Sequence, residues 1–212
     1  MFTSLTSLLF PPQCLHCREP IPLPTALCER CSLAISRRAL SARINGVPHT
    51  FSATYNEVSS TIILQAKEEN NSLARTLLAE LIALGISDST SILIPIPSRR
   101  AANRSRGFRH ATLLAERAIT LAGGNKRQVI DCLQINARIR DQSGLSLQQR
   151  MENLDGRVSV KLPRGYQFDS QQIFIIDDLV TSGASAREAI RALRAENIAL
   201  TGVISACAAR PH

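Results

Sequence analysis

A short apolar run followed at once by two acidic residues is the feature that most restricts the fold of this chain. Ile173-Phe-Ile-Ile176 is continuously apolar, which is typical of a central strand of a parallel sheet that is buried on both faces. Asp177-Asp178 comes next, and a turn of small and hydroxyl residues then leads into helical spacing over residues 185–195. We therefore predict a strand, a turn and a helix in direct succession, which is the repeating unit of α/β sheets.

The rest of the chain shows the same alternation. Apolar runs predict strands over residues 51–55, 91–97, 129–133 and 198–206, and helical spacing predicts helices over residues 58–67, 72–84 and 111–122. Residues 134–145 have no apolar period and predict a loop, after which a capping box predicts a short helix over residues 146–153. Alternating strands and helices indicate an α/β fold with a mostly parallel sheet flanked by helices, whose ligands bind beyond the carboxyl ends of the strands.

The turn after the two aspartates has the composition of a phosphate-binding helix start. It comprises Thr181, Ser182, Gly183, Ala184 and Ser185. Small residues at a helix N-terminus leave backbone N–H groups free to point at an anion, and the helix dipole favours negative charge there. Asp177 and Asp178 add carboxylates that can accept hydrogen bonds from vicinal ribose hydroxyls. This combination predicts a site for a ribose 5-phosphate group; the alternative is an ordinary strand-to-helix turn with an acidic cap.

Four cysteines near the start of the chain form two Cys-x-x-Cys pairs joined by a proline-rich span: Cys14, Cys17, Cys28 and Cys31. Two such pairs facing each other make a closed tetrahedral zinc site, so we predict a small zinc-ribbon-like module in which the metal is structural. The alternative is four unrelated cytosolic cysteines, and His16 is a further candidate ligand. Cys132 and Cys207 lie in apolar stretches and are expected in the core.

The length and charge of the chain limit how it can be organised. Its 212 residues suit one α/β domain with an appended module, which we place at residues 49–212 and 1–48. The formal net charge of +8 comes mostly from arginine and predicts polyanionic partners, although many cytosolic proteins are basic for no specific reason. Residues 1–10 lack the basic start of a signal peptide, and no apolar run approaches the roughly 20 residues of a membrane helix. We expect a soluble, cytoplasmic protein without a membrane span.

Residues 173–185 resemble the phosphoribosyltransferase fingerprint, an apolar strand followed by two acidic residues, two variable residues and a Thr-[Thr/Ser]-Gly turn. The resemblance implies a type I-like phosphoribosyltransferase fold and a 5-phosphoribosyl pyrophosphate ligand bound with Mg²⁺. Asp177 and Asp178 would be the catalytic pair that holds the 2′- and 3′-hydroxyls, and residues 181–185 would bind the 5′-phosphate. Arg99 and Arg100 follow a predicted strand where these proteins place the loop that binds pyrophosphate.

Over essentially its full length, the chain also resembles the ComF family, which is associated with competence and DNA uptake in the cytoplasm. Three segments carry this resemblance: the four-cysteine module, residues 94–108 with Ile94-Pro-Ile-Pro97 and Arg106-Gly-Phe108, and residues 140–153. It implies single-stranded DNA or DNA-uptake proteins as partners in natural transformation. The chain departs from the family pattern in having Arg109 where Asn is usual and Ser182 where Thr is common.

Two classes of function remain open at this point. One is an enzyme, a glycosyltransferase of the phosphoribosyltransferase type with an unidentified acceptor. In it the segment with Arg138, Arg140, Gln142, Ser146 and Arg150 would form a lid, or would only fix the geometry of the loop. The other is a protein that binds without turnover, either a ligand sensor or a DNA-binding accessory protein on this fold, or a zinc-ribbon nucleic-acid binder. Arg104 and Arg106 would contact phosphates in either case or form a solvated face, and Lys67 is a further candidate site residue.

Overall fold

The computed structural model describes residues 11–22, 24–35, 37–98, 107–136, 156–162, 164–169 and 171–209. Its strands are β1 (Leu40–Ile44), β2 (Val47–Thr54), β3 (Ile92–Pro95), β4 (Leu133–Ile135), β5 (Val158–Val160), β6 (Ile173–Val180) and β7 (Gly202–Ala208). Its helices are α1 (Glu29–Leu33), α2 (Glu57–Lys67), α3 (Ser72–Ala83), α4 (His110–Leu121) and α5 (Ala184–Ala195), with a 3-10 turn at Lys126–Gln128.

Five strands form a central sheet in the order β1-β2-β7-β6-β3. The β2–β7, β7–β6 and β6–β3 pairs are parallel, and β1 adds to the edge of β2 as an antiparallel strand. Strands β4 and β5 form a separate antiparallel pair. The predicted α/β fold with a mainly parallel sheet is therefore confirmed, and the carboxyl ends of four strands meet at one edge, where α/β sheets bind their ligands.

Helices cover both faces of this sheet. One apolar cluster joins Ile62 of α2, Leu77 of α3 and Leu114 of α4 to Ile176 of β6. A second cluster joins Ile190 of α5 to the neighbouring Ile175 of β6. Consecutive residues of β6 thus enter opposite cores, which explains why this strand is apolar at every position from Ile173 to Ile176.

The β1–β2 hairpin was not predicted. Its turn is Asn45-Gly46, and both residues have positive φ, 48° and 77°, as a tight two-residue hairpin turn requires. The Asn-Gly pair between two apolar stretches was the signal that could have indicated it.

Several predicted boundaries were wrong. The strand predicted over residues 51–55 is β2 and begins at Val47, and the strand predicted over residues 91–97 is β3 and ends at Pro95. Strand β6 continues through the two aspartates to Val180, and the last strand begins at Gly202 instead of residue 198. The strand predicted over residues 129–133 is replaced by one bridge from Val129 to Leu93, and β4 begins at Leu133. The reason is the 3-10 turn before Val129, which the Asn125 side chain caps. Of the loop predicted over residues 134–145, Gln134 and Ile135 lie in β4; residues 137–145 and the predicted helix at 146–153 lie outside the described residues.

The cysteine-rich segment packs directly on α2. Gln65 Nε2 donates a hydrogen bond to the Leu15 carbonyl oxygen over 2.7 Å, and His16 Nδ1 lies 3.0 Å from Thr61 Oγ1. Cys14, Leu15 and Cys31 belong to the same apolar cluster as α2. The division predicted at residues 48 and 49 stays a prediction, and β2 runs through those residues.

None of the helices in the described part of the chain has both the length and the apolar character that a membrane crossing needs.

Candidate functional site

A cavity of about 340 Å³ opens at the carboxyl edge of the sheet, between the ends of β3 and β6. The predicted residues Asp177, Asp178, Thr181 and Ser185 line it together with Pro97 and Ser98, which follow β3. Lys67 and His110 complete the wall that faces α2 and α4. The structure therefore brings the two aspartates, Thr181 and Ser185 to one cavity, whereas Ser182 and Gly183 line a neighbouring cavity of about 260 Å³.

Asp178 is a buried carboxylate with two nitrogen neighbours. It is 4% exposed, and its Oδ2 lies 3.2 Å from Lys67 Nζ and 3.3 Å from His110 Nε2. Burial alone would raise the pKa of Asp178, but the contacts with His110 and Lys67 outweigh it and hold that pKa well below the usual range. Asp178 is therefore charged at neutral pH, as a buried carboxylate with such partners should be.

Asp177 has a different environment, although it is the adjacent residue. Successive side chains of a strand point to opposite faces, and Asp177 is half-buried while Asp178 is buried. The Asp178 backbone N–H donates to Asp177 Oδ1 over 2.9 Å. Burial and the charge of Asp178 raise the pKa of Asp177 well above its ordinary value. A bound cation or hydroxyl donors would favour the charged form of Asp177, so this carboxyl suits a ligand contact.

The turn after β6 presents a helix start without a side-chain cap. Gly183 is the N-cap of α5 with a φ of 70° and has no side chain to cap the helix, and Ser182 Oγ accepts a long hydrogen bond of 3.4 Å from the Ala184 N–H. Thr181, Ser182 and Ser185 are exposed around it. Arg187 Nη1 donates to the Ser182 carbonyl oxygen over 2.7 Å and so holds the turn in place. Uncapped backbone N–H groups and exposed hydroxyls are the groups that bind phosphate at a helix N-terminus.

The predicted pyrophosphate contacts stay predictions, because Arg99 and Arg100 lie outside the described residues. Arg104, Arg106 and the segment with Arg138, Arg140, Gln142, Ser146 and Arg150 also lie outside them. Arg109, whose contact the sequence left open, forms an ion pair with Asp131.

His110 is the site residue that sequence reasoning missed. It is the first residue of α4 and is 2% exposed. Its Nε2 lies 3.3 Å from Asp178 Oδ2, and neither ring nitrogen has a hydrogen bond of good geometry within the described residues. Its sequence signal was weak, since a histidine at the start of an apolar helix is equally expected of a core residue.

The four predicted metal ligands form one cluster. The sulfur atoms of Cys14, Cys17, Cys28 and Cys31 all lie within 4.8 Å of one another, and the Cys17 and Cys28 sulfurs are 3.6 Å apart. A tetrahedral zinc site with Zn–S bonds of about 2.3 Å requires sulfur separations of about 3.8 Å. The cluster therefore fits a metal ion such as zinc, whereas His16 lies outside this group and contacts Thr61.

The thiols of this cluster have unequal acidity. Burial raises the pKa of Cys14, but hydrogen bonds from the backbone of Cys28, Cys17 and His16 outweigh it and bring the pKa to about 6. Burial and the neighbouring cysteines raise the pKa of Cys31 to about 12. The backbone N–H groups that stabilise the Cys14 thiolate are those expected of Cys-x-x-Cys turns that bind a cation.

Comparison with known proteins adds little to this geometry. No protein-family model matches the chain, and no curated protein matches it. A solved structure described as the allosteric regulatory enzyme of purine biosynthesis is 17% identical, with a TM-score of 0.35, over 78% of this chain and 27% of that chain. The chain thus spans about a quarter of that protein, and a TM-score of this size carries no argument. The fold described above stands on strand order and pairing alone.

Proposed function

We propose that the protein is phosphoribosyltransferase-like, of the ComF type, and that it binds 5-phosphoribosyl pyrophosphate with Mg²⁺ at the cavity between β3 and β6. The observation that supports this most is the meeting of Asp177 and Asp178 with Thr181 and Ser185, which flank the N-terminus of α5, in one cavity. The turn at residues 181–185 binds the 5′-phosphate, and the carboxyl pair holds the ribose hydroxyls. Lys67 and His110 keep Asp178 charged and in position.

The reaction that suits this site is transfer of the phosphoribosyl group. The ligand loses pyrophosphate from C1, and the departing charge is neutralised by Mg²⁺ and by Arg99 and Arg100. The residues after β3 lie on the side of β6 where that group would leave. A lid formed by residues 138–150 would exclude water from the reacting carbon.

The zinc-ribbon-like module holds zinc in a structural role, because four thiolates leave no open coordination position. The setting implied by the ComF resemblance is processing or import of single-stranded DNA in the cytoplasm. These assignments rest on the sequence motifs.

Thermal stability with and without ligand tests the proposal. A ligand that binds only the folded state at 100 times its Kd adds about 2.7 kcal/mol of stability. Millimolar 5-phosphoribosyl pyrophosphate with Mg²⁺ should raise Tm of the wild type and of Asp169→Asn, an exposed aspartate outside the cavity. The Asp177→Asn, Asp178→Asn variant should lose the rise. A rise of equal size in that variant would refute the site.

Turnover of the ligand distinguishes an enzyme from a ligand sensor. An enzyme releases pyrophosphate from the ligand once an acceptor is supplied, and a sensor binds the ligand and leaves it intact. If the protein is instead a zinc-ribbon nucleic-acid binder, it should bind DNA in a salt-dependent way. That binding should be lost in Arg104→Gln, Arg106→Gln and unaffected by Asp177→Asn.

A further inference from the structure

A cavity of about 630 Å³ lies at the amino edge of the central sheet, opposite the edge that holds the aspartates. Ile173, the first residue of β6, and Thr201, which precedes β7, line it together with residues 166–169 and 196–200. Its volume is within the roughly 300–1,000 Å³ of small-molecule sites. None of the described residues that line it lines the cavity between β3 and β6, so the two sites are separate.

Two aromatic rings form one wall of this amino-edge cavity. The ring centroids of Tyr166 and Phe168 are 5.1 Å apart, and the angle between the ring planes is 78°. Both side chains are half-buried and line the cavity. The face of an aromatic ring attracts a cation, and two rings at nearly a right angle present such faces on two sides of a corner. This wall therefore suits an ammonium or guanidinium group.

The charged groups of the amino-edge cavity are acidic. Asp169 and Glu196 line it and are exposed, and its described lining residues include no lysine, arginine or histidine. Within the described part of the chain, neither carboxylate forms an ion pair. The chain as a whole has a net charge of +8. An edge with this local excess of negative charge favours a cationic ligand.

The aromatic wall and one of the carboxylates act on the same part of the cavity. Burial raises the pKa of the Tyr166 hydroxyl, and the negative charges of Cys132 and Asp169 raise it further. An electrostatic effect of this kind requires the Asp169 carboxylate to lie close to the ring. A cation on the aromatic wall therefore also has a carboxylate within reach.

The floor of the cavity is apolar. Ile173 and Ile198 are buried, and Leu162 and Leu200 pack against the same apolar cluster. Because Asp169 precedes β6 and Glu196 follows α5, the two carboxylates approach this floor from different segments. A ligand with a hydrocarbon chain and a cation at each end matches this arrangement, whereas a single ammonium matches only part of it.

We propose that the amino-edge cavity binds a small organic dication, an aliphatic chain with an ammonium at one end and a guanidinium or a second ammonium at the other. One cation lies on the rings of Tyr166 and Phe168 beside Asp169. The hydrocarbon chain covers the apolar floor, and the second cation pairs with Glu196.

Tyrosine fluorescence reports on this cavity directly. The chain has no tryptophan and two tyrosines, so the emission of Tyr55→Phe comes from Tyr166 alone. Tyr55 is exposed and does not line the cavity. The probes are agmatine, which has a guanidinium and an ammonium, butylamine, which has the same hydrocarbon length and one ammonium, and Mg²⁺, which has no hydrocarbon. All are titrated at constant ionic strength.

We expect agmatine to change the emission saturably at concentrations about tenfold below those that butylamine requires, because its second cation adds a charged contact. Mg²⁺ should leave the emission unchanged. In the Tyr55→Phe background, Asp169→Asn and Glu196→Gln should each weaken agmatine binding by about three- to tenfold. Glu69→Gln, at an exposed glutamate that does not line the cavity, should bind agmatine normally.

Equal potency of agmatine and butylamine would overturn the dication, and an equal response to Mg²⁺ would overturn the organic ligand. The site itself is refuted if agmatine changes neither the emission nor Tm, or if Asp169→Asn and Glu196→Gln both bind it as Glu69→Gln does. Asp169→Asn should still respond to 5-phosphoribosyl pyrophosphate with Mg²⁺, so failure of this site leaves the proposed function intact.

Discussion

At the scale of single residues, two glycines share a left-handed backbone but differ in surroundings. Gly46 has a φ of 77° with nothing within 4 Å of an added Cβ, and Gly183 has a φ of 70° with Arg187 Nη1 only 3.3 Å from that position. A non-glycine residue in this conformation costs about 1–2 kcal/mol. Substitution at the two positions therefore distinguishes the cost of backbone strain from the cost of crowding at the turn.

We predict that Gly46→Ala and Gly183→Ala both lower the free energy of unfolding, and that Gly183→Ala costs a further ~0.5–1.5 kcal/mol. The extra cost arises because the Arg187 guanidinium must shift by a few tenths of an ångström, which strains its hydrogen bond to the Ser182 carbonyl oxygen. Urea denaturation measures both values. Equal losses in the two variants would show that Arg187 does not constrain the turn.

Asp177 gives a prediction about pH. Below the ordinary aspartate pKa of about 4, the folded and unfolded states both keep the proton, so the residue has no effect on stability. As pH rises, the unfolded chain ionises first, because the pKa of Asp177 is raised in the folded state. Stability is therefore lost between the unfolded and the folded pKa.

Asp177→Asn stays neutral at every pH and should raise Tm of the ligand-free protein near neutral pH, by about 2–4 °C for each kcal/mol regained. The gain should shrink toward zero as pH falls to about 4. Scanning calorimetry across this range measures it, with Asp169→Asn as the exposed control. A gain in Tm that grows toward low pH would contradict a raised pKa for Asp177.

The candidate site shows what sequence can and cannot reveal at this scale. Asp177, Asp178 and the turn are contiguous in the chain, so their juxtaposition could be predicted. His110 reaches Asp178 from a different helix, and no local pattern encodes that contact. The sequence named Lys67 as a candidate, but its partner became known only from the structure.

At the scale of elements, α2 connects the cysteine module to the sheet. Gln65 is 3% exposed and is the helix residue that reaches the Leu15 carbonyl oxygen. A buried carbonyl without a partner costs about 1–3 kcal/mol. The contact between the two parts of the chain therefore depends on a buried polar side chain of α2 as well as on apolar packing.

Gln65→Ala should lower the free energy of unfolding by about 1–3 kcal/mol and increase amide hydrogen exchange at residues 14–31. Gln167→Ala, at an exposed position, should change neither. Hydrogen exchange followed by mass spectrometry measures residues 14–31 separately from the rest of the chain. Unchanged exchange at residues 14–31 would mean that the module does not depend on this bond.

Elements with a strong local signal were predictable, and elements defined by pairing were less so. The apolar run of β6 and the spacing of α5 determine their type directly. The strand predicted at residues 129–133 failed because a capped 3-10 turn precedes it. In the β1–β2 hairpin, β1 has only five residues and is partly buried, so its alternation of apolar and polar residues was too short to stand out. Pro48 and His49 interrupt the apolar pattern at the start of β2.

At the scale of the whole molecule, the cysteine module and the α/β domain share one apolar cluster. Loss of metal should therefore destabilise more than the module, since a structural zinc site contributes its binding energy to folding. The predicted division into residues 1–48 and 49–212 describes the sequence, whereas packing makes the two parts interdependent.

We predict about one zinc per chain by elemental analysis, and a lower Tm in one cooperative transition after treatment with a strong chelator. Cys17→Ser should have the same effect, because it removes one ligand of the cluster. Excess zinc should restore the wild type after chelation and leave the variant unchanged. Two separate transitions, with the upper one insensitive to chelation, would contradict the shared core.

In the proposed function, the two aspartates and the turn at residues 181–185 bind the sugar and the phosphate of one ligand. Calorimetric titration with ribose 5-phosphate and with inorganic phosphate tests it most directly. We expect the wild type to prefer ribose 5-phosphate and Asp177→Asn to lose this preference while it retains phosphate binding. Gly183→Ala should weaken the binding of both ligands. A preference for ribose 5-phosphate that survives in Asp177→Asn would show that Asp177 does not bind the sugar.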